Sequence, residues 1–219
     1  GIYGCSCGFR RPDAAFEASK LLGKEHLEVE ALGQRFTTQL KGDYNAYNVM
    51  ASIALSKEFG LSDEMIQKGL HHYKIENGRM QSFVCGGFPY LLSLAKNPQG
   101  VNSSLATFLQ NENEKQVTIF LNDLGADGKD VSWIWDADYE RLNRPDVKQV
   151  ICSGRRAFDL AVRIQYAGVP KEKIVILPEL QKAIDETVKQ PMDSYFLSTY
   201  TALESVKEIM EEHDSIQID

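Results

Sequence analysis

The residues best suited to chemistry lie in one acidic segment in the second half of the chain. An apolar run at residues 117–121 precedes it and is typical of a buried parallel strand. In open α/β sheets, ligands and catalysis gather in the loops after the carboxyl ends of strands. The following residues, 122–138 (the acidic loop), contain five aspartates and both tryptophans of the chain, Trp133 and Trp135. Four of the aspartates are considered as site residues: Asp123, Asp127, Asp130 and Asp136. This loop is a candidate site, and the alternative is a solvated acidic turn whose tryptophans anchor the core.

A carboxylate can assist catalysis by orienting a histidine, and the acidic loop has no histidine to orient. The four histidines of the chain all lie outside the loops that follow the later strands. Cys85 and Cys152 also lack a neighbouring histidine in the sequence, and small buried side chains are the simpler interpretation of both. A self-contained Ser/His/Asp or Cys/His site is therefore not expected. A histidine partner for the loop would have to come from another subunit.

The elements that position this loop follow from the spacing of apolar residues. Alternation around Leu32-Gly33 predicts a β-hairpin over residues 25–40, and two helices follow, the first capped by Asn45. Farther along, short apolar strands alternate with helical segments, and the strands are expected at 90–94, 117–121, 150–152, 174–177 and 195–197. This alternation predicts an α/β fold with a doubly wound, mostly parallel, Rossmann-like sheet.

A turn signal at Asn77-Gly78 separates the helical N-terminal part from this alternating pattern. The sequence therefore predicts two domains, residues 1–77 and residues 78–219. A helix is expected near Tyr139, and the polar tail after Glu211 is expected to fray.

Three of the loops that follow strands contain small polar residues that can offer backbone N–H groups to an anion: residues 95–100, 153–156 and 198–201. Lys96 can add a positive charge for a phosphate. Ordinary helix caps have the same composition, so each loop taken alone is better explained as a turn. The sequence contains no G-x-x-x-x-G-K-[ST] motif, so it predicts no P-loop for a nucleoside triphosphate.

Cys5 and Cys7 lie in a glycine-rich turn near the start of the chain. Two close cysteines of this kind can supply half of a zinc site, which needs four ligands. No second pair of close cysteines exists in the sequence, so free thiols are the simpler interpretation within this chain.

The overall composition excludes several classes of protein. The formal net charge is −7 and there is no basic block, which argues against a nucleic-acid-binding surface. No apolar run approaches the about 20 residues of a transmembrane helix, and no signal peptide is apparent. Four cysteines without a disulfide pattern are typical of a protein from the reducing cytoplasm.

Several motifs resemble those of Mur ligases. The G-x-x-N-x-x-N pattern at residues 42–48 resembles the end of their central ATPase domain, and Gly78-Arg79-Met80 resembles the junction with their C-terminal domain. Ala95-Lys96-Asn97-Pro98 stands where many of them have A-H-N-P. More specifically, the segments NDLGADGKDVSWIWDADYE, SGRRAFDLAVRIQYAGV and GFRRP resemble the MurT family of Mur-ligase-like subunits. The resemblance covers nearly the whole chain.

The resemblance implies that residues 1–77 are the C-terminal part of a Mur-ligase central domain and residues 78–219 a Mur-ligase-like C-terminal domain. The complete enzyme would use ATP and Mg²⁺ to convert the D-glutamate α-carboxylate of the lipid II stem peptide into an acyl phosphate. Ammonia would then give D-isoglutamine. A partner glutamine amidotransferase, GatD, would release that ammonia with its Cys/His pair.

The resemblance also implies where this enzyme would work and how much of it the chain represents. It would act in the cytoplasm, at the inner face of the membrane, on a lipid-linked substrate. The chain begins without methionine and carries no P-loop. We therefore expect a fragment of a longer protein that is inactive by itself.

Roles for individual residues follow from the same resemblance. Asn45 would contact the adenine and Arg79 the ribose, with Lys96 and Asn97 at the nucleotide site as well. Cys5 and Cys7 would form half of a Cys₄ zinc ribbon, although their C-x-C spacing is one residue shorter than usual. A further departure from the Mur pattern is Ser93, where many Mur ligases carry an aspartate that contacts nucleotide.

The third member of the partner's catalytic triad would be an aspartate of the acidic loop. Asp127 is the first candidate because it lies at the turn between Ala126 and Gly128, and Asp130 is the second. Two other functions stay open at this point. The chain can be a non-catalytic docking module for a glutaminase subunit, or part of a stand-alone Mur or folylpolyglutamate-type amino-acid ligase.

Overall fold

A computed structural model describes residues 3–22, 27–40, 44–73, 80–85, 87–110, 112–213 and 216–218. The chain divides into two compact units, Gly1–Tyr73 and Lys74–Asp219. Their assignment as the central and C-terminal domains of a Mur ligase stays a prediction.

The first unit combines a small antiparallel sheet with two helices. Its strands β1 (Ala18–Leu22), β2 (Glu28–Ala31) and β3 (Gln34–Thr37) pair in the order β1-β2-β3. The β2–β3 turn is made by Leu32 and Gly33, which have φ angles of 55° and 74°. The predicted hairpin is therefore confirmed, whereas β1 was not expected from the sequence.

Two helices, α1 (Asn45–Glu58) and α2 (Asp63–His72), complete the first unit. Ser62 caps α2, since its side chain accepts a hydrogen bond from the backbone N of Met65. The expected cap of α1 is wrong by one residue. Tyr44 is its N-cap and makes no side-chain cap hydrogen bond, while Asn45 is already helical and buried.

The second unit is built on a seven-stranded sheet. Its strands are β4 (Gln81–Cys85), β5 (Phe88–Leu94), β6 (Lys115–Phe120), β7 (Val147–Ser153), β8 (Ile174–Ile176), β9 (Asp193–Ser198) and β10 (Ile216–Ile218). They lie in the order β10-β4-β5-β9-β6-β7-β8, and the five strands from β5 to β8 in this order run parallel. The predicted mostly parallel α/β sheet is confirmed.

The sheet also shows what sequence periodicity missed. Strand β4 pairs antiparallel with β5, and β10 pairs antiparallel with β4. The expectation of a frayed tail is therefore wrong, because the backbone of β10 pairs with the edge of β4.

Four helices lie in the connections of this sheet: α3 (Pro98–Phe108), α4 (Ala157–Tyr166), α5 (Leu180–Val188) and α6 (Tyr200–Glu212). The helix expected near Tyr139 is instead a pair of short 3₁₀ turns, Ser132–Asp136 and Tyr139–Leu142. Every residue of the central strand β6 is buried, as expected for a parallel strand with neighbours on both sides. Among the residues described above, no helix is long and apolar enough to cross a membrane.

Candidate functional site

The carboxyl ends of the parallel strands lie together at one end of the sheet, which we call its carboxyl edge; the end where these strands begin is its amino edge. At the carboxyl edge, Asn122 joins three loops. Its backbone N donates to Thr199 Oγ1 at 3.0 Å, and its Nδ2 donates to Thr201 Oγ1 at 3.1 Å. Its Oδ1 accepts from the backbone N of Arg155 at 3.0 Å. This buried amide therefore links the loops after β6, β7 and β9, on which candidate site residues lie.

Gly154 lets the loop after β7 approach this point closely. It has a φ angle of 86°, and a Cβ atom there would lie 2.6 Å from the carbonyl oxygen of Leu121. Only glycine is compatible with both conditions. The glycine in the Ser153–Arg156 loop is thus needed for packing against β6, which does not by itself indicate an anion site.

Asp127 is held by the N-terminus of α6. Its Oδ1 accepts from the backbone N of Thr201 at 2.8 Å, and its Oδ2 accepts hydrogen bonds from the Thr201 hydroxyl and from the backbone N of Leu124. A carboxylate is favourable there because the first N–H groups of a helix have no intrahelical partner. The loop after β9 was a candidate anion site, and in the structure an anion of the chain itself occupies that position.

Asp130, three residues farther on, is exposed. Its Oδ1 accepts from the backbone N of Ser132 at 2.8 Å. This hydrogen bond is the main reason that the pKa of Asp130 lies below its usual value, and the Ser132 hydroxyl adds to the effect. The carboxylate is ionised at neutral pH, fixed by its own turn, and accessible to another molecule.

A cleft of about 530 Å³ opens beside Asp130, and its walls carry apolar side chains together with charged ones of both signs. We call it the docking cleft and define it by Asp130, Val131, Trp135, Phe158 and Val162. Phe158 and Trp135 are 65% and 52% exposed, and what makes them informative is that both lie in the same cleft. The arrangement suits a protein partner with an apolar protrusion, placed next to an ionised carboxylate.

Tyr166 continues this apolar surface along α4. Phe158, Val162 and Tyr166 repeat every four residues on its exposed side, while Leu160 and Ile164 are buried on the other. Sequence reasoning did not single out this exposed side. The signal was available, because a helix that is apolar on two sides needs a second neighbour.

Asp123 lies at the start of the acidic loop and forms ion pairs with the loop after β7. Its Oδ1 lies 3.0 Å from Arg155 Nε, and its Oδ2 lies 3.7 Å from Arg156 Nη1. Arg156 also lies 3.1 Å from a carboxylate oxygen of Asp159, so each of the two arginines is paired with a carboxylate of the chain itself.

Lys96 and Asn97 lie at the same edge, after β5. The Asn97 side chain accepts from the backbone N of Gly100 at 2.8 Å and caps α3. Lys96 is exposed, and its Nζ lies 5.9 Å from the centroid of the Tyr200 ring at the start of α6. The structure therefore brings both residues to the edge of the sheet where Asp127 lies.

The remaining predicted site residues belong to the N-terminal part of the chain and the junction. Asn45 is buried, and its Oδ1 accepts from Asn48 Nδ2 at 2.8 Å. Cys5 and Cys7 are exposed with sulfur atoms 3.0 Å apart, and the neighbouring Cys7 lowers the pKa of Cys5. Within the described ranges, no group of three or more histidine, cysteine or acidic residues could hold a metal ion. Arg79 lies outside the described residues.

Comparison with known proteins shows which family the chain resembles. The family model for the MurT ligase C-terminal domain matches residues 94–203. A lipid II isoglutaminyl synthase (glutamine-hydrolyzing) subunit MurT from Staphylococcus aureus is 36% identical over 203 residues, which are 93% of this chain and 46% of that protein. The chain thus spans about half the length of this relative.

Two solved structures share the fold of the chain. A pseudomurein peptide ligase type C from Methanothermus fervidus superposes with a TM-score of 0.70 at 16% identity, covering 97% of this chain and 44% of the other. MurF from Acinetobacter baumannii has a TM-score of 0.65 at 18% identity, covering 89% and 44%. The α/β fold is that of Mur ligases. Because the matched residues 94–203 span half of the sequence and contain the whole acidic loop, the chain belongs to the MurT family.

Proposed function

We propose that this chain is part of a glutamine-hydrolysing ligase that amidates the D-glutamate α-carboxylate of lipid II. The similarity to the S. aureus relative, which is named a lipid II isoglutaminyl synthase subunit, supports this proposal. ATP and Mg²⁺ would activate the carboxylate as an acyl phosphate, and ammonia would displace the phosphate to give D-isoglutamine. The reaction would take place in the cytoplasm at the inner face of the membrane.

Within this enzyme, the chain lends a carboxylate to a GatD-like glutaminase subunit that holds a Cys/His pair. The observation that carries this role is the state of Asp130, which is exposed, ionised at neutral pH and fixed by Ser132. A carboxylate that accepts a hydrogen bond from an imidazole Nδ1–H fixes the tautomer and stabilises the imidazolium. Asp130 is therefore preferred over Asp127, whose carboxylate oxygens bond to Thr201 and Leu124.

The docking cleft is the site at which this subunit would bind. The cleft adjoins Asp130, so a partner seated there can bring its histidine to the carboxylate. Its exposed Trp135 and Phe158 are residue types that anchor protein interfaces. Glutamine hydrolysis and docking would thus involve one continuous surface of the second unit.

Nucleotide binding would involve the remaining predicted site residues, together with parts of the enzyme that this chain does not contain. Lys96 is exposed and can contact a phosphate, and Asn97 caps the N-terminus of α3. Asn45 and Arg79 would contact the nucleoside, as the family resemblance implies. Cys5 and Cys7 would supply two thiolates of a Cys₄ zinc site, as the family resemblance implies, and the other two ligands would come from elsewhere.

The decisive experiment measures glutamine hydrolysis by the glutaminase subunit alone and with this chain added. We expect the wild-type chain to stimulate hydrolysis, Asp130→Asn to bind equally well but to lower the saturated rate about 10⁴-fold, and Asp127→Asn to retain most activity. Full activity of Asp130→Asn together with loss in Asp127→Asn would reverse the assignment. Binding without stimulation would leave the chain as a docking module.

A second experiment tests the docking cleft by itself. Phe158→Ser should weaken binding of the glutaminase subunit by about tenfold or more, because an apolar anchor at an interface is lost. Tyr47→Ser is the matched control, since Tyr47 is an aromatic residue of the first unit that is 79% exposed. Equal affinity of the Phe158 variant and the wild type in a titration would exclude the cleft as the binding site.

A further inference from the structure

A nearly buried arginine lies beneath the acidic loop, and the proposed reaction does not use it directly. Arg163 of α4 has 4% of its side chain exposed. Its Nε donates to the carbonyl of Ile134 at 3.1 Å, and its Nη2 donates to the carbonyl of Ala137 at 2.8 Å. Nη2 also lies 2.9 Å from both carboxylate oxygens of Glu140. One guanidinium thus joins the 3₁₀ turn that carries Trp135 to the next turn.

The same guanidinium contacts two aromatic rings. Its Cζ lies 5.6 Å from the centroid of the Trp135 ring and 5.5 Å from that of Tyr139. Tyr139 is buried, and Trp135 is half exposed with its ring in edge contact with Tyr166 at 5.7 Å. The exposed indole of the docking cleft therefore packs against a cation that is itself fixed by three groups.

The chemistry of this position requires arginine. Burying a cation is unfavourable unless it is paired and hydrogen-bonded, and these contacts meet that condition. The planar guanidinium can bond two carbonyls and a carboxylate in its plane while its faces contact rings. A lysine has one point of charge and cannot make the same set of contacts.

We infer that Arg163 is a positioning residue for the docking cleft. It holds the Ser132–Asp136 turn and the Trp135 ring in the geometry that the partner meets, and it fixes the segment that follows Asp130. A surface that is already ordered loses less conformational entropy on binding. The identity of the partner rests on the proposed function, whereas the positioning is a property of this chain alone.

The positioning can be tested without any partner. In the full chain labelled with 5-fluorotryptophan, Trp133 and Trp135 give two ¹⁹F resonances, which Trp133→Phe assigns. We expect Arg163→Met to shift and broaden the Trp135 resonance, and Arg163→Lys to do so to a smaller extent. The matched control is Arg144→Met. Arg144 lies just before β7, at the opposite edge of the sheet, and bonds Asp146 and the carbonyl of Leu109. An unchanged Trp135 resonance in the two Arg163 variants would overturn the inference.

The consequence for function is measured with the glutaminase subunit. Arg163→Met should weaken binding about tenfold and lower the rate of the saturated complex, with partial recovery in Arg163→Lys, while Arg144→Met lowers thermal stability and leaves affinity unchanged. Equal loss of affinity in the Arg144 and Arg163 variants would assign Arg163 a general structural role. If the wild-type chain does not bind the glutaminase subunit, the proposed function fails, and the ¹⁹F comparison still decides the role of Arg163.

Discussion

Two carboxylates at opposite edges of the same sheet differ in what surrounds them. Asp146, before β7, bonds Arg144 Nε at 2.8 Å and Lys115 Nζ at 2.7 Å, and the Lys115 side chain is fully buried. Asp130 lies at the other edge. Within the part of the chain that the structure describes, the hydrogen bonds given for its carboxylate come from Ser132, in its own turn. One acid compensates a buried charge, and the other is open to a partner.

The comparison shows that a lowered pKa does not by itself identify a site. The pKa of Asp146 lies well below its usual range, chiefly because of Arg144 and then Lys115, and the pKa of Asp130 is lowered by Ser132. What separates the two is accessibility and the group that each carboxylate contacts. Removing Asp146 would take the carboxylate away from the buried ammonium of Lys115, whereas removing Asp130 leaves a backbone N–H in an exposed turn.

The largest effect on stability is therefore expected for Asp146→Asn. We predict a loss of about 3 kcal/mol in the free energy of unfolding, because one partner of a buried ion pair is removed. Urea denaturation of the purified chain measures it. Glu114→Gln is the control, since it breaks the exposed ion pair with Lys148 and should cost less than about 1 kcal/mol. Similar losses in both variants would remove the distinction between the two edges.

A smaller loss is expected for Asp127→Ala. The variant removes the acceptor for the backbone N of Thr201 at the start of α6 and should cost about 1–2 kcal/mol. Asp127→Asn should lose less, because the amide oxygen of asparagine can still accept from the backbone N of Thr201. The same urea series tests both, and an Asp127→Ala chain as stable as the wild type would show that the carboxylate does not hold the loop.

Acid should destabilise the chain by protonating carboxylates that are paired in the folded state. The folded-state pKa of Asp146 is lowered, so its contribution to stability is complete above the unfolded pKa of about 3.9 and is lost as the pH falls below that value. Glu140 and Asp185 act in the same direction, since Arg163 lowers the pKa of the first, and Gln181 and then His213 lower that of the second. The free energy of unfolding, measured between pH 3 and 7, should decline at the acid end. This decline should be shallower in Asp146→Asn than in the wild type. An equal decline in that variant would contradict this origin.

Local patterns in the sequence identified the five parallel strands because each of them carries its own apolar run, whereas β1, β4 and β10 were missed. Residues 117–121 predicted β6, and every residue of β6 is buried. The loop after it was recognised as a candidate site from its composition alone. Which of its aspartates is accessible depends on Thr201, a residue 74 positions away, and no local pattern contains that contact.

The errors have the same physical origin. The segment around Tyr139 resembles a helix locally. In the structure, Arg163 donates hydrogen bonds to the carbonyls of Ile134 and Ala137, and the segment forms short 3₁₀ turns. The tail after Glu211 is polar, yet β10 pairs with β4, which lies more than 130 residues earlier. Both outcomes are decided by tertiary partners that override local preference.

The smallest effect on stability is expected for Lys96→Met at the carboxyl edge. Lys96 is exposed, and its cation–π contact with Tyr200 is worth about 0.5 kcal/mol at such a site. If the residue serves the proposed ligase as a phosphate contact, the complete enzyme carrying this variant should instead show a KM for ATP raised about tenfold. Steady-state kinetics at varied ATP, with Lys148→Met as a control at the opposite edge of the sheet, separates the two roles. A stability loss without a change in KM would place Lys96 with Asp146 as a structural charge, and would narrow the functional part of this edge to the acidic loop.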